Sequence, residues 1–201
     1  MLPPHCIGDF SRRQEPLRHN ASVHFQIRLA VPNDTPGIVR AVKACYDEYG
    51  FTWEEGGEYF LDLYDVKTHH LDKGNPFWVA VTPENEVLGT AALDLFPTIP
   101  GKPGTTVVHE GRIRVAGADC SMERLYVDPE RRKLGIGRAL ALHSIEHAKA
   151  QDRTMMELWT DKKLTKAHGL YHAMGATTIG ERICHDPDQS PEWGMMLPLG
   201  G

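Results

Sequence analysis

From His24 the chain alternates. Phe25, Ile27 and Leu29 are apolar, and Gln26 and Arg28 between them are polar. A period of two marks a half-buried strand. Pro32-Asn33-Asp34 ends it, and a helix is expected from there to Tyr49, with Asp34 or Thr35 as its cap and Pro36 early in its first turn. A second helical stretch is expected roughly from Gly57 to Leu71. Two β-rich runs then flank Pro83-Glu84-Asn85-Glu86, the pattern of a hairpin. Residues 97–119 hold Pro97, Pro100, Pro103 and four glycines, which predicts a loop-rich insertion with at most a short strand at Thr105–His109. The strand Ser121–Val127 follows, then a glycine turn and a helix to about Gln151. TMMELWT reads as a strand, LTKAHGLYHAM as a helix, and TTIGERI and WGMMLPL as two closing strands.

The expected order is β-α-α-β-β-β-α-β-α-β-β. Alternating helices and strands in the second half imply a partly parallel sheet covered by helices, and the hairpins make it mixed. The fold class is therefore α/β with a mixed central sheet. Residues 1–23 are polar, carry prolines and arginines and show no periodicity, so they are expected to form a flexible extension ahead of one domain over residues 24–201.

Composition narrows the function. The formal net charge of −5 argues against a nucleic-acid binder, which is normally basic. Cys6, Cys45, Cys120 and Cys184 lie far apart without CxxC spacing, which speaks against a zinc ribbon and for a reduced, cytoplasmic setting. No secretory apolar region and no run of 18 apolar residues is present, so neither a signal peptide nor a membrane span is expected. The sequon Asn20-Ala21-Ser22 reads as chance without such a signal.

The stretch RRKLGIGRAL, Arg131–Leu140, carries the most chemistry. Two glycines one residue apart sit between a strand and a helix, among Arg131, Arg132, Lys133 and Arg138. Glycine lets backbone approach a ligand, and a helix N-terminus offers unpaired N–H groups and a positive dipole end. The stretch thus points to an anion. It is not a P-loop, and Gly135-Ile136-Gly137-Arg138-Ala139-Leu140 lacks the third small residue of a dinucleotide fingerprint.

Arg132-Lys133-Leu134-Gly135-Ile136-Gly137 after LYVDPE resembles the Arg/Gln-x-x-Gly-x-Gly/Ala signature of the GNAT superfamily of N-acetyltransferases. LYHAMGA, Leu170–Ala176, looks like the LY-x-x-x-GF element of the same family, and the element order from about residue 24 to 199 matches its fold. The resemblance implies acetyl-CoA as cosubstrate, its pyrophosphate held by backbone N–H groups across Arg132, Lys133, Leu134, Gly135, Ile136, Gly137 and Arg138. It implies a strand Ser121–Val127 that splays from Met155–Thr160, so that the pantetheine arm pairs with the free edge at Leu125, Tyr126 and Val127. It implies Tyr171 as the acid that protonates the departing thiolate, and the Leu125 N–H as the donor to the oxyanion. Glu123 is the candidate base. Strand alternation would put Ser121, Glu123, Leu125 and Val127 on one face, and Glu123 reads equally as a base or as a solvated strand-end carboxylate. Leu164 stands where many members carry an asparagine that contacts the cofactor arm.

The expected activity is acetyl transfer to a primary amine by direct attack in a ternary complex. The alternative is a catalytically silent acyl-CoA-binding sensor of the same fold. The acceptor is open: a small amine, an antibiotic, an amino acid, a polyamine, or a protein N-terminus or lysine. Pairing through sheet edges, common in the family, makes a homodimer an expectation of the resemblance. The acidic residues Asp47, Glu48, Glu54, Glu55 and Glu58 would suit a cationic acceptor or are simply solvated. His143-Ser144-Ile145-Glu146-His147 spells the HxxEH of the inverted zinc peptidases. The apolar stripe Ala141, Ile145, Ala148 puts both histidines on the solvent side at about 100° per residue, away from any cleft, so no metal is expected. His69-His70 carries no clear signal.

Overall fold

A seven-stranded sheet organises the computed structural model, which describes residues 24–200; the expected extension over residues 1–23 lies outside the described residues. The chain runs β1 (Gln26–Leu29), α1 (Thr35–Tyr49), α2 (Leu61–Tyr64), α3 (Val66–His69), β2 (Phe77–Val81), β3 (Val87–Leu95), β4 (Thr106–His109), β5 (Arg112–Val115), β6 (Cys120–Val127), α4 (Ile136–Ala150), β7 (Met155–Asp161), α5 (Thr165–Ala173), β8 (Thr177–Ile183) and β9 (Pro191–Pro198). The sheet order is β1-β2-β3-β6-β7-β9-β8, and β4-β5 form a separate hairpin. Only β6 and β7 run parallel; the other neighbours are antiparallel. The sheet is thus mixed, as the element order implies.

Both faces are covered. Along β2, Trp78 and Ala80 enter one core with Leu140, Ile145, Met156 and Leu158, while Phe77, Val79 and Val81 enter the other with Ile38, Val42, Phe60 and Leu63. A central strand buried on both sides needs apolar residues at every position, and FWVAV has them. Helix α1 holds one face, and α4 and α5 the other.

Three expectations are corrected. The stretch Gly57–Leu71 is not one helix: one-turn pieces, α2 and α3, are separated at Asp65 and flanked by 3-10 turns. The Asp65 carboxylate accepts the Thr68 N–H at 3.1 Å, so it caps a new turn and interrupts the old one. The insertion at 97–119 is not only loop. Arg112–Val115 is a second strand, paired with Thr106–His109 around Gly111, and the hairpin packs Val107 and Ile113 against Ile99 and Trp159. Asp34 heads α1, but its side chain faces backwards. It accepts from the Val31 N–H at 2.8 Å and from both Arg28 guanidinium nitrogens, at 2.6 and 2.8 Å.

Candidate active site

Strand β6 is where the sheet opens. It pairs with β7 only over Cys120, Ser121 and Met122, while β7 stays paired with β9 from Met155 to Asp161. From Glu123 to Val127 one edge of β6 therefore faces a cleft, the splay that the resemblance implies.

A bulge inside β6 alters the side-chain alternation. Glu123 faces Ala92 and Tyr126 faces Thr90, so β6 spends one more residue than β3. Arg124 takes up the extra residue with φ +51°, a left-handed conformation rare for a side-chain-bearing residue. Two groups hold it there. The Thr90 hydroxyl donates to the Arg124 carbonyl at 2.7 Å, and Asp62 accepts Nε and Nη2 of Arg124, both at 2.8 Å. The expected common face of Ser121, Glu123, Leu125 and Val127 is thereby broken. Ser121 donates to Glu123 at 2.6 Å on one side, while Leu125 and Val127 join Cys120 and Met122 on the other. Tyr126 turns its ring toward α1 and lies 6.0 Å from Tyr46.

Beyond β6 the glycine turn leads into the N-terminus of α4. Asp128 anchors it, accepting from Glu130 N–H at 3.1 Å and from Arg40 at 2.5 Å. Gly135 has φ +81° and nothing within 4 Å of where a Cβ would stand, so its place is conformational and open. A Cβ on Gly137 would lie 3.3 Å from Val127, so this glycine lets α4 approach β6. The first helical bond at this end runs from Ala139 N–H to Gly135 at 2.9 Å, which leaves the N–H groups of Ile136, Gly137 and Arg138 for a ligand. A groove of about 350 Å³ joins these features, lined by Leu125, Tyr126, Val127, Arg132, Lys133, Gly135, Ile136, Gly137 and Arg138. Leu134 is exposed on the loop and does not line it. Arg132 is half-buried, ion-paired to Glu48 and 3.7 Å from the Cys45 sulfur.

The groove opens into a larger cavity of about 950 Å³, and Phe51, Leu125, Tyr126, Leu164 and Ala167 line both. Glu123 and Tyr171 line the larger one. Burial, helped by the charge of Asp94 and opposed by the Ser121 hydrogen bond, pushes Glu123 up to about 7. Burial and the charge of Glu123 push Tyr171 well above the ordinary phenol value. Near neutral pH the first is poised to take a proton and the second to hold one.

The cavity wall contains residues that sequence reasoning did not single out. Arg124, Asp62, His70 and Asp94 form one polar chain. His70 is buried, with Nε2 3.1 Å from Asp62 and Nδ1 3.7 Å from Asp94. Burial would lower the His70 pKa, but the hydrogen bond to Asp62 and the nearby charge of Asp94 prevail and raise it to about 9, so this imidazole is a cation. Burial would raise Asp62, but His70 and Arg124 hold it at about 2. Across the cavity, Arg114 binds Glu157 at 2.5 Å and Arg182 binds Glu192 at 2.7 Å. The adjacent histidines at 69 and 70 were the only legible sign of the first chain.

The HxxEH histidines are not on a solvent face, which corrects the helical-wheel expectation. His143 and His147 are half-buried and pack edge-on against Trp78, with ring centroids 5.0 and 5.1 Å away. Ala141, Ile145 and Ala148 are buried as expected, but the apolar surface of α4 is wide enough to take in the histidines through Trp78. Among the described residues, no group of three or more His, Cys, Asp and Glu side chains could hold a metal ion, and no helix is long and apolar enough to cross a membrane.

The model of the acetyltransferase (GNAT) family matches residues 40–176, more than half of the chain. The chain belongs to the GNAT acetyltransferase family. No curated protein matches it significantly. Solved structures give the same fold. A GNAT-family acetyltransferase from Staphylococcus aureus Mu50 superposes with a TM-score of 0.65 at 18% identity, covering 88% of this chain and 100% of that one. A GNAT phosphinothricin acetyltransferase from Sinorhizobium meliloti, in complex with acetyl-CoA, gives 0.62 at 21% identity, covering 88% and 89%. The NatC complex bound to Gag peptide and CoA gives 0.60 at 15% identity, covering 88% and 99%.

Membership in the GNAT family makes a role for the glycine turn testable. Acetyl-CoA should raise the melting temperature of the native protein, since a ligand of the folded state stabilises it by mass action. Gly135→Asp should fold, because a Cβ there meets nothing, yet lose the shift by placing a carboxylate in the groove. Gly135→Ala shares the cost of positive φ, about 1 kcal/mol, without the charge, and should keep part of the shift. A full shift in Gly135→Asp would remove this turn from the binding site.

Proposed function

We propose that this protein moves acetyl from acetyl-CoA to a primary amine by direct attack, with both substrates bound at once. The observation that carries the reading is the pairing of Glu123 and Tyr171 in one cavity continuous with the glycine groove. The groove has the features that suit the cofactor: a free β6 edge for the amide-rich arm and a helix N-terminus ringed by Arg132, Lys133 and Arg138 for the phosphates. Leu125, Tyr126 and Val127, with residues 132–138, would hold it. Bound acetyl-CoA supplies an acyl group already activated as a thioester.

The protein's own groups supply orientation and proton handling. An alkyl ammonium has a reference pKa of about 10.4 and is no nucleophile until it loses a proton. Glu123 is the acceptor for that proton, directly or through a water, and the Ser121 hydroxyl fixes its orientation. The Leu125 N–H donates to the carbonyl oxygen as negative charge grows there, a type of interaction worth about 3 kcal/mol. Tyr171 delivers its proton to the departing sulfur. The polar chain Arg124–Asp62–His70 keeps the bulge, and with it the free stretch of β6, in place.

The deciding experiment is turnover with a panel of amines, read as free CoA thiol. Acetylation of at least one primary amine, absent with tertiary amines, is the expected result. Acetyl-CoA binding without turnover on any amine would replace this reading by the acyl-CoA sensor.

A further inference from the structure

The glycine turn and the strand that feeds it are tied to one helix, α1. Arg40 binds the Asp128 carboxylate at 2.5 Å and the Val87 carbonyl at 2.6 Å. The Cys45 thiol donates to the Val127 carbonyl at 3.2 Å. Glu48 is ion-paired to Arg132. The Arg132 guanidinium also lies 5.7 Å from the centre of the Tyr49 ring and 3.7 Å from the Cys45 sulfur. Cys45, Glu48 and Tyr49 stand at i, i+3 and i+4, so they share a face of α1, and one arginine meets all three.

The four cations of the turn are therefore not equivalent. Arg131 is paired with Glu86 at 3.3 Å. Arg132 turns back toward α1, and its side chain is only 23% exposed. Lys133 and Arg138 are exposed and form no ion pair among the described residues. Lys133 has φ +65° and Gly135 has φ +81°, so two of the three residues after Arg132 are left-handed. A lysine keeps that conformation where its surroundings fix the chain. The side chain immediately before it is the one anchored to α1.

From the acetyl-CoA reading above, on which this rests, we infer that Arg132 is a positioning residue whose guanidinium is not a phosphate ligand. With Glu48 and Tyr49 it props the glycine turn against α1. The propped turn aims the Lys133 and Arg138 side chains, and the N–H groups that open α4, at the phosphates. The rival is a swing of Arg132 into the groove that it lines. That swing would leave Glu48 unpaired beside a polyanion and give up the contact with the Tyr49 ring. Calorimetric titration of the full chain with acetyl-CoA at about 0.05 and 0.5 M salt separates the two, because exposed charge pairs weaken as screening grows. Glu48→Gln should weaken acetyl-CoA binding by about two- to fivefold, the factor typical of a partly exposed ion pair, although it removes a negative charge near an anion. Glu48→Gln combined with Arg132→Met has the net charge of the native protein. It should bind no more weakly than Glu48→Gln alone and keep the native salt dependence, whereas Lys133→Met should flatten that dependence. Unchanged or tighter binding in Glu48→Gln overturns the strut. So does a further loss with a flattened salt dependence when Arg132→Met is added, or a native salt dependence in Lys133→Met. No binding of acetyl-CoA by the native protein overturns the cofactor reading itself, and the strut with it.

Discussion

Tyr171→Phe should lower kcat by about 10²–10⁴-fold with little change in acetyl-CoA affinity. The range is the one typical of a positioned acid or base. The substitution removes one hydroxyl and keeps a ring that is 7% exposed and packed with the α4–β7 core. Packing and melting temperature should therefore hold. The split between kcat and affinity is the informative part, because an interaction made only as the bond breaks shows in kcat and not in ground-state binding. Steady-state kinetics on the best amine, with acetyl-CoA affinity measured by titration, gives both numbers. A variant that turns over at the native rate would remove Tyr171 from the catalytic groups. A variant that loses affinity in proportion to rate would make it a binding residue.

The parts of this site that could be read from the sequence are local in the chain. The glycine turn sits between a strand and a helix, with its basic side chains within one short stretch, and LYHAMGA places Tyr171 in a single helix. Each rests on neighbours in sequence. The bulge at Arg124 rests on Thr90 and Asp62, which lie 34 and 62 residues away, and no local pattern announces it. That is why period-two alternation, sound for a regular strand, placed Leu125 beside Glu123. His70 escaped for the same reason: its charge depends on Asp62 and on Asp94, which meet only when β3 and α2 are in place. The strand Arg112–Val115 was hidden by composition, since RIRV is short with only two apolar residues, and Arg114 finds its partner Glu157 only 43 residues further on.

Glu123→Gln should cost least at high pH and most near neutrality. In the native protein the carboxyl is pushed to about 7, first by burial and then by Asp94. Below that value it is protonated and cannot take a proton from the amine, so kcat/KM should fall about tenfold per pH unit on the acid side, which is the slope of one group. Glutamine has no such step. The variant should lose about 10²–10⁴-fold near pH 7 and recover as the pH approaches the amine's own pKa of about 10.4, where solvent removes the proton. Stability should move the opposite way. A carboxyl whose folded pKa lies above its unfolded value binds its proton more tightly when folded. Ionising it therefore costs stability as pH rises from 4.5 through about 7. Above pH 7 the variant escapes that cost and should melt higher than the native protein, which also shows that it is folded. A deficit of equal size at every pH would make Glu123 an orienting group and not the base, and the proton would then have to leave by water alone.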